Sequence, residues 1–258
     1  MLLVLDVGNT NVVIGLYKRD KLIKLWRMKT DKERTADEWG IFIVQLFNYN
    51  GIDVIGVKGI IVSSVVPPIM YSLERALYRY FKIRPIIVST ELDIGIEIKI
   101  DNPKELGADR IVNAVAVKEK YGCPAIVIDF GTATTYDVIT GNGCYIGGLI
   151  SPGVKISVEA LFQQTAKLPK IEIAKTQNVI AHNTVSAIQS GIFYGYVGQV
   201  EYIIEKVSRE MNEENIKVVA TGGLANLIST EAKGIDIVDA ELTLDGLKII
   251  YERNMINI

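Results

Sequence analysis

The chain has 258 residues, of which 49% are apolar and 22% charged, so it can bury a sizeable core as one large domain or two modest ones. This composition excludes a disordered chain. The formal net charge of −2 and the isoelectric point near 5.6 argue against a general nucleic-acid binder, which would present a basic face. The two cysteines, Cys123 and Cys144, form no CxxC motif, so neither a disulfide framework nor a cysteine-rich metal site is supported.

The hydrophobic segments indicate a soluble, cytoplasmic protein without a membrane segment. The first apolar run lacks a basic flank and reaches Asp6 almost at once, so it predicts a core strand rather than a signal peptide. No apolar run approaches the roughly 20 residues that span a bilayer. Residues 54–70 come closest, but Lys58 and two prolines interrupt them.

In the first half, the pattern predicts a strand-rich start followed by a mixture of helices and strands. Thr35 and Glu38 form a capping-box pattern that begins a helix through residue 48. Asn102 as N-cap, with Pro103 at the first helical position, predicts a helix that runs from there to about Tyr121. A further helix is predicted at residues 67–81, and strands at residues 2–6, 11–17, 22–28, 59–63 and 85–89.

The second half repeats the order of three strands followed by helices. A long helix is predicted from Asn183 or Thr184 to Met211, and shorter helices at residues 157–165, 225–229 and 242–252. Strands are predicted at residues 125–129, 134–140, 143–150, 218–220 and 235–238. Because no linker of biased composition separates the halves, we expect two closely packed domains, residues 1–121 and 122–258, with the boundary near Tyr121.

Two short polar turns follow apolar strands, one in each half. Asp6 and Gly8 stand in the sequence DVGNTN, and Asp129 and Gly131 stand in DFGTATT, each between two apolar strands. Such a turn can present backbone N–H groups to phosphate oxygens, while the carboxylate faces a phosphate-bound metal ion. The repetition predicts two related halves that face one cleft.

Other phosphate-binding architectures do not match. A P-loop requires GxxxxGK[ST], and the nearest stretch, residues 51–56, is followed by Val57. A Rossmann fingerprint would open a helix, whereas apolar strand follows Gly141, Gly143 and Gly147. A single Asp-x-Gly turn would be a weak signal, since many hairpins use these residues for turn geometry alone. The TGG turn at residues 221–223 strengthens the set, because its backbone could approach a nucleotide base or ribose.

The chain resembles the acetate and sugar kinase, Hsp70 and actin superfamily, and more closely the type III pantothenate kinases. The matching motifs are DVGNTNVVIGLY, NPKELGADR, DFGTATTYDVI, GGLISPG, HNT and TGG, in family order over nearly the whole chain. The resemblance implies an α/β fold of duplicated actin-like (ribonuclease H-like) halves, each a mixed sheet flanked by helices, with a cleft between them. It also implies ATP-dependent phosphorylation of the primary hydroxyl of pantothenate, the first step of coenzyme A synthesis.

This resemblance gives roles to the two turns. Asp6 is expected to hold the magnesium ion that accompanies ATP, directly or through water; standing alone, it would be interpreted as a turn-capping carboxylate. In the family, the residue matching Asp129 binds a monovalent cation (K⁺ or NH₄⁺), and the residue matching Thr132 contacts ATP. The residues expected to bind ATP are Asp6, Val7, Gly8, Asn9, Thr10, Asn11, Val12, Val13 and Thr132.

The GADR motif carries the expected general base, Asp109, which accepts the proton of the substrate hydroxyl. Because a helix N-terminus lowers the pKa of a carboxylate, we expect Asp109 to be ionised. The alternatives are a helix-dipole partner or an ion pair with Arg110. Arg110 can pair with the pantothenate carboxylate or a phosphate, or it can be a solvated arginine. The residues expected to contact pantothenate are Gly107, Ala108, Asp109, Arg110, Thr184 and Ile100.

Three further positions follow from the same comparison. Thr184 is an ordinary helix N-cap by its position, but the family uses this threonine to contact pantothenate across a dimer interface. The glycines of the long helix predict close approach to another helix, so a homodimer is expected, with a same-chain contact as the alternative. Ile100 stands where many relatives carry a substrate-contacting tyrosine. His182, the only histidine, is interpreted as a non-catalytic helix-entry residue.

Two other functions remain open from the sequence. One is a regulatory protein that kept the fold without catalysis. A degenerate site is not supported, because the expected site residues are all present: Asp6, Asp109, Arg110, Asp129 and Thr132. The other is a sugar kinase of the same superfamily. The two cysteines cannot supply the zinc motif of one such group, and GADR points to pantothenate.

Overall fold

The computed structural model describes residues 1–255, which form two compact units. The first unit contains Met1–Gly95, Asn102–Ala116 and residues 243–255; the second contains Ile96–Asp101 and Val117–Leu242. The division into residues 1–121 and 122–258 therefore stays a prediction, and the compact units run across it. The C-terminal residues join the first unit rather than the second.

The first unit is built on a five-stranded mixed sheet. Its strands are β1 (Leu2–Val7), β2 (Asn11–Lys18), β3 (Lys21–Lys29), β4 (Gly59–Ser64) and β5 (Ile86–Ile87), in the order β3-β2-β1-β4-β5. The central strand β1 pairs antiparallel with β2 and parallel with β4. The predicted strands of the three-strand meander are confirmed, with ends that differ by at most one residue.

Two helices, α1 (Ala36–Tyr49) and α2 (Pro67–Phe81), cover one face of this sheet. The predicted capping box is confirmed, because the Glu38 N–H donates to the Thr35 hydroxyl and the Thr35 N–H donates to the Glu38 carboxylate. Helix α7 (Leu242–Met255) packs against the opposite face, since a Cβ at Gly15 of β2 would lie 2.8 Å from Val4 and 3.0 Å from Leu244 of α7. The sheet of the first unit thus has a core on both faces.

The helix predicted to begin after Asn102 begins later, and that prediction is wrong by several residues. Pro103–Glu105 forms only a single 3-10 turn, Leu106 is extended at φ −69 and ψ 124, and helix α3 runs over Ala108–Tyr121. The Asn102 side chain donates to the Glu105 carboxylate at 2.7 Å rather than capping a backbone N–H. As a result, Asp109 lies in the first turn of α3.

The second unit repeats the strand order of the first. Its strands are β6 (Glu97–Ile98), β7 (Ala125–Phe130), β8 (Ala133–Ile139), β9 (Cys144–Pro152), β10 (Lys217–Gly222) and β11 (Ile237–Val238), in the order β11-β10-β7-β8-β9-β6. Strands β7, β8, β9, β10 and β11 take the places of β1 to β5, with the same parallel and antiparallel pairings. The predicted duplication is visible in this topology.

Helices α4 (Val154–Gln163), α5 (Thr184–Met211) and α6 (Ala225–Ile228) pack on the second sheet. The predicted extent of α5 is confirmed, and the Asn183 side chain caps it by accepting from the Ser186 N–H at 2.9 Å. Within residues 1–255, no helix combines the length and the apolar character needed to cross a membrane.

Candidate active site

The first acidic turn lies at the carboxyl end of β1. Asp6 pairs with Val13 of β2 and with Ser63 of β4, and the turn is closed by a hydrogen bond of 3.0 Å from the Gly8 N–H to the Asn11 carbonyl. Because Leu5 and Val7 face the core under α1 and α2, the alternation of a strand directs Asp6 to the other face. Ser63 shares that face, and its buried hydroxyl has no hydrogen-bond partner among the described residues.

The side chains of Val7 and Val12 are fully buried in the core under α1 and α2. Only their backbone atoms could therefore serve a nucleotide. Asn9 and Thr10, by contrast, are exposed at the tip of the turn, and Gly8, Asn11 and Val13 are half-buried.

One residue that the sequence patterns did not single out holds the first turn in place. Thr30, directly after β3, is 9% exposed. Its hydroxyl donates to the Gly8 carbonyl at 2.6 Å, and its N–H donates to the Thr10 carbonyl at 3.0 Å. The one sequence signal for this role was the position of Thr30 shortly after the third strand of the predicted meander, which places it near the turn.

The second acidic turn occupies the same place in its own sheet. Asp129 is the penultimate residue of β7, as Asp6 is of β1, and the Gly131 N–H donates to the Ala133 carbonyl at 3.1 Å. Asp129 is half-buried and Thr132 exposed. This turn is one residue shorter than the first, since Phe130 pairs with Thr134 whereas Val7 pairs with Val12.

Two glycines approach this second turn so closely that a side chain would collide with it. A Cβ at Gly153 would lie 2.2 Å from the Thr132 carbonyl oxygen. A Cβ at Gly222 would lie 2.5 Å from Asp129 Oδ1, and Gly222 has φ +90, where other residues are strained. The TGG turn therefore brings backbone directly against the Asp129 carboxylate; its expected approach to a nucleotide base or ribose stays a prediction.

Asp109 lies at the beginning of α3, where its Oδ1 accepts the Arg110 N–H at 2.8 Å. Gly107 is tied to this geometry, since a Cβ there would lie 2.6 Å from that same carboxylate oxygen. Burial raises the pKa of Asp109, against the lowering effect of the Arg110 N–H and guanidinium. The expectation of a lowered pKa is thus wrong, because desolvation outweighs the helix N-terminus.

Asp6 and Asp109 belong to the same edge of the first unit. The Val65 N–H donates to the Val7 carbonyl at 3.1 Å, which joins the ends of β4 and β1. A Cβ at Gly107 would lie 3.6 Å from Val65, so the turn that carries Asp109 reaches the same strand ends. The carboxyl ends of parallel strands are where open α/β sheets bind ligands.

A pocket of about 430 Å³ opens beside this edge. Gly107 and Ala108 line it together with residues that follow β4 and β5, so it lies against the turn that carries Asp109. Its polar lining includes Ser64, Ser89, Thr90, Glu91 and Lys104. The volume suits a small organic molecule with several polar groups.

The other predicted substrate residues lie in the second unit or on α3. Ile100 follows β6 and is half-buried, 3.9 Å from the Cβ position of Gly147. Thr184 is exposed at the first position of α5, and His182 is exposed just before it. Arg110 is half-buried beside Asp109.

No group of three or more His, Cys, Asp or Glu side chains in residues 1–255 is arranged to hold a metal ion. Magnesium that travels with ATP does not need such a cage, since one or two carboxylates, waters and the phosphates complete its coordination. A single half-buried carboxylate at the end of β1, beside the Ser63 hydroxyl, fits that requirement.

Duplicated mixed sheets, each with an acidic turn between its first two strands, are the architecture of the actin-like ATPase fold. The chain belongs to the type III pantothenate kinase family, whose model matches residues 2–206. Members of this family phosphorylate pantothenate in coenzyme A synthesis, and this chain is a kinase of that kind.

Solved structures agree on the fold. A Baf-family transcriptional activator from Campylobacter jejuni is 20% identical, with 99% of this chain and 100% of the other covered and a TM-score of 0.60. A protein from Sinorhizobium meliloti described as a 2-dehydro-3-deoxygalactonokinase is 10% identical, with 98% and 96% covered and a TM-score of 0.57. One from Porphyromonas gingivalis described as an N-acetylglucosamine kinase is 11% identical, with 99% and 100% covered and a TM-score of 0.52.

Proposed function

We propose that the chain transfers the γ-phosphoryl group of ATP to the primary hydroxyl of pantothenate, with Asp109 as the general base. The observation that carries this assignment is the common position of Asp6 and Asp109 at one edge of the first unit. Phosphoryl transfer depends on positioning and charge neutralisation, and a carboxylate beside the acceptor completes the set.

Asp109 is suited to accept a proton because burial raises its pKa. A carboxylate with a raised pKa is a stronger base than one with the ordinary pKa. The Arg110 N–H donates to one carboxylate oxygen of Asp109 and so orients the side chain. In this proposal the second oxygen faces the acceptor. Arg110 supplies positive charge for the pantothenate carboxylate or a phosphate.

The acceptor fits the pocket beside the GADR turn. Pantothenate carries hydroxyl, amide and carboxylate groups on an aliphatic body, and the pocket offers hydroxyl side chains and Lys104 beside Val65, Val88 and Ile111. Gly107 links the pocket to the base, because it lines the pocket and a Cβ at its position would lie 2.6 Å from Asp109 Oδ1. In this proposal the primary hydroxyl approaches Asp109 from the pocket.

Each acidic turn has its own part in nucleotide binding. The turn would supply N–H groups of Asn9 to Asn11 to the phosphates, since the Gly8 N–H already bonds the Asn11 carbonyl. Asp6 would hold Mg²⁺, which would neutralise the charge that develops on the phosphoryl oxygens. Thr132 contacts ATP in the second unit. Asp129 binds a monovalent cation, K⁺ or NH₄⁺, since hard cations prefer oxygen ligands. The enzyme works in the cytoplasm, where ATP and pantothenate meet.

A homodimer is part of the proposal, and α5 supports it. Apart from the adjacent residues and backbone of α5 itself, a Cβ at Gly191, Gly195 or Gly198 would meet no described atom within 4 Å, so packing against another element of the same chain does not explain these glycines. Large apolar side chains of the second unit are also exposed, including Ile150 at 66% and Ile180 at 78%. Thr184 lies at the exposed start of the same helix and would contact pantothenate at the interface.

The first test is a coupled assay of ADP release with MgATP. We expect ADP to form when pantothenate is added and not when sugars such as N-acetylglucosamine are added, and K⁺ or NH₄⁺ to raise the rate. Asp129→Asn should remove most of the activation by K⁺, because an amide binds the cation more weakly than a carboxylate. Turnover that is absent over a broad range of salts, or that occurs only with a sugar, would contradict the proposal.

The dimer is tested by Gly195→Trp. Its indole would meet no described atom near the Cβ position within one chain, but it would block close approach of a second helix. We expect the wild type to have twice the 28.5 kDa chain mass by light scattering and the variant to have the mass of one chain. Glu210→Trp, at an exposed position near the end of α5, serves as the control and should stay dimeric. A monomeric wild type or a dimeric Gly195→Trp would refute the interface.

A further inference from the structure

Thr30 holds two carbonyl groups of the first acidic turn. Its hydroxyl donates to the Gly8 carbonyl at 2.6 Å and its N–H to the Thr10 carbonyl at 3.0 Å. A third carbonyl, that of Asn11, accepts the Gly8 N–H at 3.0 Å. Hydrogen bonds thus fix the direction of three carbonyl groups in this four-residue turn. Two of these bonds come from Thr30, which lies 20 or more residues away in sequence.

The direction of a carbonyl sets the direction of the next N–H. In a planar trans peptide the C=O and N–H bonds point to opposite sides. Because the Gly8 and Thr10 carbonyls point at Thr30, the N–H groups of Asn9 and Asn11 point away from it. Neighbouring N–H groups that share a direction form a concave site for an anion.

The second unit has a residue at the same position against its own turn. Gly153 directly follows β9, as Thr30 directly follows β3, and both lie against the turn between the first two strands of their sheet. In the second unit a glycine allows the backbone to approach within van der Waals distance, whereas in the first unit a threonine bonds the turn. In both units, the residue after the third strand therefore lies against the turn between the first two strands, and in the first unit it also bonds that turn.

We propose that Thr30 is a positioning residue for ATP: its hydroxyl orients the turn at Gly8–Asn11 so that the Asn9 and Asn11 N–H groups face the phosphates. This inference rests on the proposed role of that turn in ATP binding. Thr30 itself is 9% exposed and bonds the carbonyl groups of the turn, on the side opposite the Asn9 and Asn11 N–H groups. It therefore acts through the backbone of the turn and does not contact the nucleotide.

The test compares Thr30→Val, Thr30→Ala and Thr30→Ser by steady-state kinetics and by titration with MgATP. Valine keeps the shape and removes the hydroxyl, and the serine and alanine variants differ from each other only in that hydroxyl. The loss of one hydrogen bond that orients the turn should raise the KM for ATP on the order of tenfold in the valine and alanine variants. The KM for pantothenate should be unchanged, and the serine variant should stay close to wild type.

The control is Thr35→Val, which removes the cap of α1 in the same unit. This variant should melt at a lower temperature without any change in the KM for ATP. If Thr30→Val does not fold, the KM values for ATP of the serine and alanine variants are compared instead, since these two differ only in the hydroxyl. Alanine with wild-type affinity for ATP, or an equal rise in both KM values, would overturn the inference about Thr30.

The failure of this inference differs from that of the proposed function. Asp6→Asn tests whether the turn binds MgATP at all. If that variant loses affinity while Thr30→Ala does not, only the role of Thr30 is wrong. If neither loses affinity, the assignment of the turn is wrong as well.

Discussion

Asp109→Asn is expected to lower kcat for pantothenate phosphorylation by about 10²- to 10⁴-fold, the usual contribution of a positioned general base. Asparagine keeps an oxygen that can accept the Arg110 N–H, so the beginning of α3 stays formed. The KM for ATP should change little, since Asp109 is assigned to the acceptor. The matched control is Asp37→Asn, which changes an exposed aspartate in the first turn of α1 and should leave kcat unchanged.

The pH dependence of wild-type turnover follows from the same group. Burial raises the pKa of Asp109, and a base must be deprotonated to act. The acid limb of kcat/KM should therefore lie at a higher pH than the ordinary aspartate value of 3.8, with the rate falling as pH drops through the raised pKa. An acid limb at or below 3.8, or a limb of unchanged position in Asp109→Asn, would contradict this assignment.

As pH falls through the raised pKa of Asp109, this group's contribution to folding stability should become more favourable while activity falls. Because the folded-state pKa of Asp109 is above the unfolded one, the ionised carboxylate destabilises the folded chain above that pKa. This cost disappears as pH falls through the folded pKa toward 3.8. At pH 7 the free energy of unfolding of Asp109→Asn should equal or exceed that of the wild type, with a difference that shrinks as pH falls. An inactive variant that is also strongly destabilised would point to a structural role instead.

Asp6→Asn is expected to reduce kcat/KM for ATP on the order of 10²-fold or more. The substitution weakens the Mg²⁺ site, and a bound metal ion stabilises the charge of the transition state by several kcal/mol. Higher Mg²⁺ should restore part of the activity, since the amide still offers an oxygen. The KM for pantothenate should be the less affected constant. Asp20→Asn, at an exposed turn that pairs with Lys248, is the control and should retain activity. Full activity of Asp6→Asn at limiting Mg²⁺ would exclude the metal role.

Local patterns predicted the strands and most helices because each pattern has a local cause. The continuous apolar runs before and after the polar turns at Asp6 and Asp129 predicted both hairpins, and the capping residues Thr35 and Asn183 predicted the beginnings of α1 and α5. The duplicated strand order then follows from two similar strand sequences. These features depend on neighbours within a few residues.

The beginning of α3 was missed although its signature was also local. Asn102, Pro103 and Glu105 do form a turn, but the Asn102 side chain bonds Glu105 and the extended Leu106 interrupts the helix. A one-turn 3-10 helix and the first turn of an α-helix share the same start signals. The sequence could not tell which of the two would form.

The finer features of the site depend on residues that the fold brings together. The pKa of Asp109 is raised by burial, which a helix-terminus argument does not include. Thr30 and Gly222 reach their turns through strands β3 and β10, far away along the chain. Such contacts become visible only when the order and register of the sheets are known.

The central proposal is that ATP is bound by residues of the first acidic turn, with Thr132 of the second turn as a further contact, and a calorimetric titration of a non-hydrolysable MgATP analogue tests it most directly. The titration would compare wild type with Asp6→Asn in the first turn and Thr132→Val in the second. We predict one nucleotide per chain in the wild type and weaker binding in both variants. Two nucleotides per chain, or wild-type affinity in either variant, would contradict the account.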